Sequence, residues 1–427
     1  MEDRNGWNRA IQAAERFDVV VLTNSESHLS RLYLSVPHHL KGRIEFLAVP
    51  LINKQQRRLK CSLQFYRGYR AWLESGKRIA DKLHAERPFA LTHLVSLCGY
   101  REPGYFWRLD APFIFGPVGG SSGFPVRFLS IIDFRCGLFE LARNVLNSYQ
   151  LLWSRRVRRA IRGSAIVIAA NESTRRDLQP ILGDRNISVE LETALDYAPE
   201  PPKGVREVGA PLKILWTGRF RAWKGLPLLL HAIAELPSDV RVELKIVGEG
   251  SCLRSWQKLA STLGIESQVE WINRPPYRES IPYYRWADVF SFTSLRDTSG
   301  TGLLEALAAG TPIIGMNHQG AADIMSRGGA IPISAESPQK TIGEIRSAII
   351  KVAADADYLK ALSNEATLRA YDYCWDTRAS VMHQTYCQTI RTSPRITSTV
   401  NACSSTTFEH KQLESAVMVP PPSSVTH

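Results

Sequence analysis

Two cationic side chains follow an apolar run in the second half of the chain. The run Leu212–Thr217 is typical of a buried strand, and Arg219 and Lys224 come shortly after it. Open α/β sheets bind ligands outside the carboxyl ends of their strands, where both cations are expected to lie. A guanidinium can bind two phosphate oxygens and an ammonium acts as a point charge, so the pair suits a diphosphate. The alternative is that both are solvated surface cations.

A second stretch, residues 289–315, combines small residues with two carboxylates. A strand runs into a glycine-rich loop, and a helix is predicted from Leu303 to Ala309. A glycine-rich helix N-terminus offers free N–H groups and the positive end of the helix dipole, so it can bind a phosphate. Asp297 and Glu305 bracket the loop and could face one crevice, or they could be a loop cap and a dipole-complementing acid. The candidate ligand-binding residues here are Ser299, Gly300, Thr301, Gly302 and Leu303.

The first half of the chain offers one histidine and one glycine turn. His93 lies near the end of the apolar run Ala90–Val95, and Gly119 and Gly120 follow the next run, Pro112–Phe115. A lone histidine in an apolar run is more often a hydrogen-bonded core residue than a catalytic one. The strand-end position and the flexible turn favour the functional interpretation, because both point toward a crevice between domains.

Three other patterns are weaker signals of function. Asp355 and Asp357 resemble a metal-binding pair but lie in a helical stretch, so they predict a solvated helix face, and no metal site is predicted. Gly248 and Gly250 lack the third glycine of a dinucleotide fingerprint. The basic amphipathic stretch 154–162 has no aromatic residues interleaved, so adsorption to anionic lipid is favoured over nucleic-acid binding.

These residues must be positioned by alternating strands and helices. Continuous apolar runs between helical patterns indicate parallel strands that are buried on both faces. We therefore predict an α/β fold with two doubly wound, Rossmann-like domains, in residues 1–195 and 196–390. Residues 391–427 are rich in Ser, Thr and Pro, lack periodicity, and are predicted to be a disordered tail. The predicted strands are Val19–Thr23, Glu45–Val49, Ala90–Val95, Pro112–Phe115, Ala165–Ala169, Leu212–Thr217, Glu243–Val247, Val269–Ile272, Val289–Phe292 and Pro312–Gly315.

Charge is distributed unevenly between the two halves. The 427 residues carry a formal net charge of +12, from 53 basic and 41 acidic side chains. Residues 1–195 hold 29 basic and 18 acidic side chains, so that half carries 29 − 18 = +11. This surplus predicts an anionic neighbour for the first domain, which could be a membrane surface, a nucleotide or a phosphorylated acceptor. The seven cysteines are scattered, and the sequence shows no signal core and no run of about 18 apolar residues. These features predict a cytoplasmic protein. Together with the positive surplus, they predict that it is peripheral on the inner face of the membrane.

Taken together, the motifs of the second half resemble the donor-binding domain of glycosyltransferase family 4. The matching elements are Gly218-Arg219 with Lys224-Gly225, then Gly248, and then Asp297 and Glu305 with seven residues between them, in that order. The resemblance covers about residues 5–390. It implies the GT-B fold, in which two Rossmann-like domains face each other across a cleft. It also implies transfer of a sugar from a UDP- or GDP-linked donor with retention of anomeric configuration, without a metal or other cofactor.

The resemblance also implies a role for each site residue. Arg219 and Lys224 would hold the diphosphate, Glu305 the ribose hydroxyls, and Asp297 hydroxyls of the donor sugar, with Asp standing where the family has Glu. His93 would lie near the anomeric centre. The loop residues Gly119, Gly120, Gly218 and Gly248 would approach the donor. The acceptor would be lipid-linked or a saccharide of the cell envelope or a polysaccharide, and no nucleic acid is expected.

One element of the family pattern is not matched. Family members begin with a strand and a glycine-rich loop before the first helix, whereas this sequence starts at what is predicted to be that helix. Because the first strand lies in the middle of a doubly wound sheet, its loss predicts a costly gap in the first domain. Two alternatives to an active transferase therefore stay open: a catalytically silent GT-B binding scaffold, and a GT-B sugar-nucleotide epimerase or phosphorylase.

Overall fold

The computed structural model describes the chain except residues 1, 25–28, 51–61, 96, 184, 186, 205, 208, 393–414 and 419–427. Strands and helices alternate along most of the sequence, as the pattern of apolar runs predicts. The strands are β1 Asp18–Thr23, β2 Ile44–Ala48, β3 Leu91–Leu94, β4 Phe113–Val118, β5 Ile166–Ala169, β6 Ile187–Val189, β7 Leu212–Arg219, β8 Val242–Glu249, β9 Val269–Ile272, β10 Val289–Phe292, β11 Ile313–Met316, β12 Ala330–Ile333 and β13 Ser415–Met418.

Fourteen α-helices are described among these residues, and most of them cover the faces of the sheets. They are α1 Glu2–Ala14, α2 Leu29–Ser35, α3 Ser62–Glu86, α4 Phe134–Trp153, α5 Arg155–Gly163, α6 Glu172–Leu182, α7 Leu226–Ala234, α8 Leu253–Thr262, α9 Tyr277–Trp286, α10 Thr301–Ala308, α11 Gln319–Met325, α12 Pro338–Ala354, α13 Ala356–Ala370 and α14 Trp375–Thr392. None of the described helices has the length and apolar character that a membrane span requires.

The strands form two parallel sheets. The order in the first sheet is β2-β1-β13-β3-β4-β5-β6, and in the second it is β12-β11-β10-β7-β8-β9. Read from β9, the second sheet has the 3-2-1-4-5-6 arrangement of a doubly wound domain, with β7 at the position of the first strand. Each sheet is buried between helices, because its strands are apolar on both faces. The chain therefore contains two Rossmann-like units.

The centre of the first sheet is occupied by a strand from the far end of the chain. β13 pairs in parallel with β1, where Asp18 faces Ser415, and with β3, where Leu91 faces Ala416. Its place between β1 and β3 corresponds to that of β7 in the second sheet. Two sequence expectations are corrected here. The predicted gap is filled, and residues 415–418 of the tail form a strand, because the unpaired edges of β1 and β3 supply backbone hydrogen bonds.

The last helix, α14, crosses back from the second domain to the first. Its residues Met382 and Tyr386 share a core cluster with Val19 and Leu91 of the first sheet. The ring of His383 contacts the carbonyl of Gln12 at 2.6 Å, which ties α14 to α1. This helix is one of several links between the two domains.

Candidate functional site

The carboxyl end of β7 leads directly into the first candidate region. Arg219 ends the strand and is exposed, and a short turn carries the chain through Lys224 to α7. Gly225 has a φ of +63°, and a Cβ added there would lie 2.3 Å from the carbonyl oxygen of Thr293. The missing side chain lets the Lys224 turn pack against the loop after β10. The two stretches identified from the sequence are therefore neighbours.

Lys224 and Asp297 meet in this contact. The ammonium group of Lys224 forms an ion pair with Oδ2 of Asp297, and each side chain is about one-fifth to one-quarter exposed, at 20% and 24%. The Asp297 N–H donates to the side-chain oxygen of Gln319 at 3.0 Å, and its Oδ1 accepts from the Thr298 N–H at 3.1 Å. These bonds fix the carboxylate at the mouth of the cleft. A cation and an acid that can reach a ligand thus stand side by side.

Beyond Asp297, the glycine-rich loop leads into α10, which begins at Thr301 with Gly300 as the capping residue. Gly302 packs against Tyr284 and Thr217, so the helix N-terminus lies beside the end of β7. Leu303 is fully buried, whereas Thr301 and Gly302 are partly exposed. The first turn of α10 therefore places backbone N–H groups beside the end of β7, where a phosphate is favoured by the helix dipole.

Glu305 lies deeper than the sequence analysis expected. Its residue is 7% exposed, and it neighbours the hydroxyl of Tyr284, which also contacts Thr217 Oγ1 at 2.8 Å. Burial, together with the Glu305 carboxylate, raises the pKa of Tyr284 well above its ordinary value. The tyrosine therefore stays protonated and can donate to the carboxylate. Glu305 is held in a fixed position below the helix N-terminus.

The first domain contributes the opposite wall of the cleft. A Cβ on Gly119 would lie 2.3 Å from the Thr298 side chain, so this glycine allows the two domains to touch. Arg143, on α4, donates to the carbonyls of Ser122 at 3.3 Å and Gly120 at 3.4 Å. Burial and the neighbouring cations Arg296 and Arg101 lower the pKa of Arg143 to about 10. This wall is therefore cationic.

A pocket of about 170 Å³ lies between these walls. Of the predicted site residues, the structure brings Lys224, Asp297 and Gly120 together in it. Arg219, Gly218 and Gly248 lie outside its lining, at the ends of β7 and β8. The complete lining is Gly120, Ser122, Arg143, Trp223, Lys224, Arg296, Asp297, Thr298 and Gln319.

Sequence reasoning missed the residues that join the two walls. Arg296 pairs with the buried Glu140 of α4 at 3.0 Å, and Asn171 donates to the carbonyl of Thr298 at 2.7 Å. The Ser299 hydroxyl donates to Glu192 at 2.6 Å. The position of Arg296 just before Asp297 was the one available signal. The others are far apart in sequence, so no spacing could reveal them.

His93 lies in the core and not at the cleft. It is 1% exposed, and its ring nitrogens contact the Tyr386 hydroxyl at 2.9 Å and the Gly116 carbonyl at 2.7 Å. Burial lowers the pKa of His93 to about 3, so the ring is neutral. The expectation of a histidine near the reacting centre is corrected: this residue is a hydrogen-bonded core histidine, because the helix α14 covers the end of β3.

No cluster typical of a metal site is present in the described part of the chain, where no three His, Cys, Asp or Glu side chains group together. Asp355 is the N-cap of α13, and its side chain accepts from the Tyr358 N–H at 2.8 Å. The Asp355/Asp357 pair therefore begins a helix and does not lie mid-helix as expected. The capping role of Asp355 explains this residue without a metal ligand.

Residues 201–369 match the family model described as glycosyl transferases group 1. This stretch contains Lys224, Asp297, Glu305 and all of α10. The D-inositol 3-phosphate glycosyltransferase of Corynebacterium jeikeium is 28% identical over 199 residues, which are 42% of this chain and 45% of that protein. The aligned part thus spans less than half of the curated relative. Both findings support the resemblance drawn from the sequence.

Two solved structures show the fold. Sucrose-phosphate synthase from Thermosynechococcus elongatus superimposes with a TM-score of 0.63 at 15% identity, covering 90% of this chain and 92% of that one. The Anabaena protein HepE, in complex with UDP and glucose, gives a TM-score of 0.54 at 14% identity, covering 87% and 100%. The chain therefore has the GT-B fold with two Rossmann-like domains, as predicted.

Proposed function

We propose that this protein is a retaining, metal-independent glycosyltransferase. It moves a sugar from a UDP- or GDP-linked donor to a lipid-linked or saccharide acceptor of the cell envelope or of a polysaccharide. The observation that carries the proposal is the pocket between the domains, which is lined by the paired Lys224 and Asp297 of the second domain and by Arg143 of the first. The match of residues 201–369 to group 1 glycosyltransferases supports it.

The donor side of the reaction falls to the second domain. As the glycosidic bond breaks, negative charge develops on the nucleoside diphosphate that leaves. Lys224, Arg219 and the N–H groups at the start of α10 stabilise this charge, which is the role that fixed donors play in enzymes. Asp297 accepts hydrogen bonds from hydroxyls of the donor sugar, and Glu305 holds the ribose. When the donor phosphate binds Lys224, the ion pair between Lys224 and Asp297 breaks, and Asp297 accepts hydrogen bonds from the sugar hydroxyls in its place.

The acceptor binds against the first domain. Attack occurs on the face from which the leaving group departs, and a donor phosphate oxygen takes the acceptor proton. The protein then needs no strong general base, which agrees with the buried position of His93. The surplus of +11 in residues 1–195 attracts this domain to anionic membranes on the cytoplasmic side.

The test compares two lysines that differ only in place. Lys224 is 20% exposed and paired with Asp297; Lys245, on β8, is 23% exposed and paired with Glu270. We expect Lys224→Ala to lower donor turnover by about 100- to 1000-fold, as loss of one transition-state donor does. Lys245→Ala keeps the wild-type rate. Turnover is measured as release of UDP or GDP from a panel of nucleotide sugars, with excess chelator present throughout.

Two outcomes would contradict the proposal. If Lys224→Ala turned over like Lys245→Ala, the pocket would not be the donor site. If the wild type released no nucleotide from any sugar of the panel but interconverted donor sugars, the epimerase alternative would replace the transferase. The anomeric configuration of the product, read by NMR, tests retention separately.

A further inference from the structure

Helix α4 has the opposite orientation to the usual amphipathic helix of a globular protein, with its polar side toward the interior and its apolar side outward. The side that faces the interior of the protein carries Glu140, Asn144 and Asn147. The amide of Asn144 donates to the Phe124 carbonyl and its oxygen accepts from the Phe124 N–H, both at 2.8 Å. Helices normally turn their apolar stripe toward the core and their polar side to water. Here the polar side is the inner one.

The outer side of α4 is apolar. Phe134 is 81% exposed and Trp153 70% exposed, and large apolar residues cover the turns between them. The others that form this face include Leu138, Phe139, Val145 and Leu152. An α-helix of 20 residues is about 30 Å long, so this is a continuous stripe and not a set of scattered side chains. A stripe of this kind marks an interaction site.

Positive charges predominate around the stripe, with one exposed acid, the N-cap residue Asp133, at its start. Residues 134–163, which form α4 and α5, contain seven Arg and one acid, Glu140. That acid is buried against Arg296 and does not reach the surface. Arg135, Arg155 and Arg159 are exposed at the two ends of the stripe. An apolar face flanked by cations is the pattern of helices that lie in the surface of an anionic bilayer.

The same helix forms part of the cleft wall. Arg143 of α4 lines the pocket that holds Lys224 and Asp297, and Glu140 of α4 pairs with Arg296 of the second domain. The inner and outer sides of a helix are about 10 Å apart. A surface that covers the outer side is therefore about one helix diameter from the site of transfer.

We propose that the outer face of α4 docks in the interface of an anionic membrane and presents the cleft to it. The apolar side chains enter the boundary between headgroups and acyl chains, and the arginines of α5 contact anionic headgroups. The acceptor is then an amphiphile that reaches the cleft from this surface. This last step rests on the proposed transfer function, whereas the docking itself does not.

The test uses two leucines with the same exposure. Leu138 on α4 and Leu368 on α13 are both 59% exposed, but Leu368 belongs to the second domain. The full chain is sedimented with vesicles of phosphatidylcholine alone and with vesicles of equal parts phosphatidylcholine and phosphatidylglycerol. We expect binding to the anionic vesicles, about tenfold weaker binding for Leu138→Glu, and no change for Leu368→Glu, because one buried leucine accounts for such a factor.

A second pair of measurements separates the charge contribution. Replacing Arg155 and Arg159 together with Gln should weaken binding to the anionic vesicles and reduce its sensitivity to salt, since screening acts on those charges. Nucleotide release without vesicles stays at the wild-type rate in Leu138→Glu, and vesicle binding stays at the wild-type level in Lys224→Ala. Failure of the docking and failure of the donor site are therefore distinguishable.

Three results would overturn the docking proposal. The first is wild-type binding of Leu138→Glu to anionic vesicles. The second is equal binding of the wild type to both vesicle types or to neither. The third is a wild-type dimer in analytical ultracentrifugation that Leu138→Glu converts to a monomer, because a second copy would then cover the face. A melting curve like that of the wild type verifies that the exposed substitution leaves the fold intact.

Discussion

The two sheets reach the same strand arrangement by different routes. The second sheet is built from residues 212–333, and its central strand β7 precedes all its neighbours in the chain. The first sheet takes its central strand β13 from residues 415–418, after the whole second domain. Both sheets therefore have a strand at the central position of the doubly wound arrangement. The first sheet shows that backbone pairing can place a strand there from a segment that is distant in sequence.

The two central strands are not equally well held. β7 pairs with β8 over eight residues, from Leu212 to Arg219, and with β10 over two. β13 pairs with β1 over four residues and with β3 over three. Each pair adds backbone hydrogen bonds that would otherwise be lost in the interior. The centre of the first sheet is therefore the weaker point, and the first domain should open before the second.

The largest expected effect follows from breaking that centre. In Val417→Pro the strand loses an N–H, and proline is not accommodated inside a sheet. Each buried group left without a partner costs about 1–3 kcal/mol, and displacement of β13 by the proline leaves groups on both β1 and β3 unpaired. We expect an early transition of the first domain in a urea melt, separate from that of the second domain.

The control for this variant is Val417→Ile, which keeps the N–H and the β-branched side chain and should melt like the wild type. A Val417→Pro protein that melts in one transition at the wild-type midpoint would contradict the conclusion that the first sheet has the weaker centre. That result would mean that β13 contributes nothing to the first domain. A nucleotide-binding second domain should survive in Val417→Pro.

A smaller effect concerns the acid sensitivity of the first domain. Burial holds the pKa of His93 at about 3, whereas an exposed histidine titrates near 6.5. Below pH 6.5 the unfolded chain binds a proton that the folded chain does not. The free energy of unfolding therefore has its full value above pH 6.5, and it falls by about 1.4 kcal/mol per pH unit from there toward pH 3.

Urea melts between pH 7 and pH 4.5 measure this effect. His93→Gln should be less stable than the wild type at pH 7 but should lose less stability on acidification. His39→Gln, at an exposed site of the first domain, should follow the wild type. Parallel slopes for His93→Gln and the wild type would contradict the pKa shift. A folded His93→Gln protein without turnover would restore a catalytic role for this residue.

The sequence predicted what is local. Every one of the ten apolar runs overlaps a strand, and Lys224 and Asp297 come together because each follows a strand of one sheet. Strand order then places their ends at one edge. Short sequence patterns of this kind are sufficient to predict the donor half of the cleft.

What the sequence did not predict depends on distant contacts. β13 has four residues in a polar tail, so its strand structure comes from its neighbours and not from its own pattern. The burial of His93 depends on α14, and the closure of the cleft depends on Glu140 meeting Arg296 across 156 positions. The acceptor half is therefore where sequence reasoning was weakest.

The most direct test of the donor site is a calorimetric titration of UDP and of GDP into the wild type, Lys224→Ala and Lys245→Ala. The wild type and Lys245→Ala should bind one of the two nucleotides with the same affinity. Lys224→Ala should bind it at least about tenfold more weakly, because a charge-assisted hydrogen bond contributes about 1.5–3 kcal/mol. Equal affinity in all three proteins, or no binding of either nucleotide to the wild type, would contradict the assignment of the donor site.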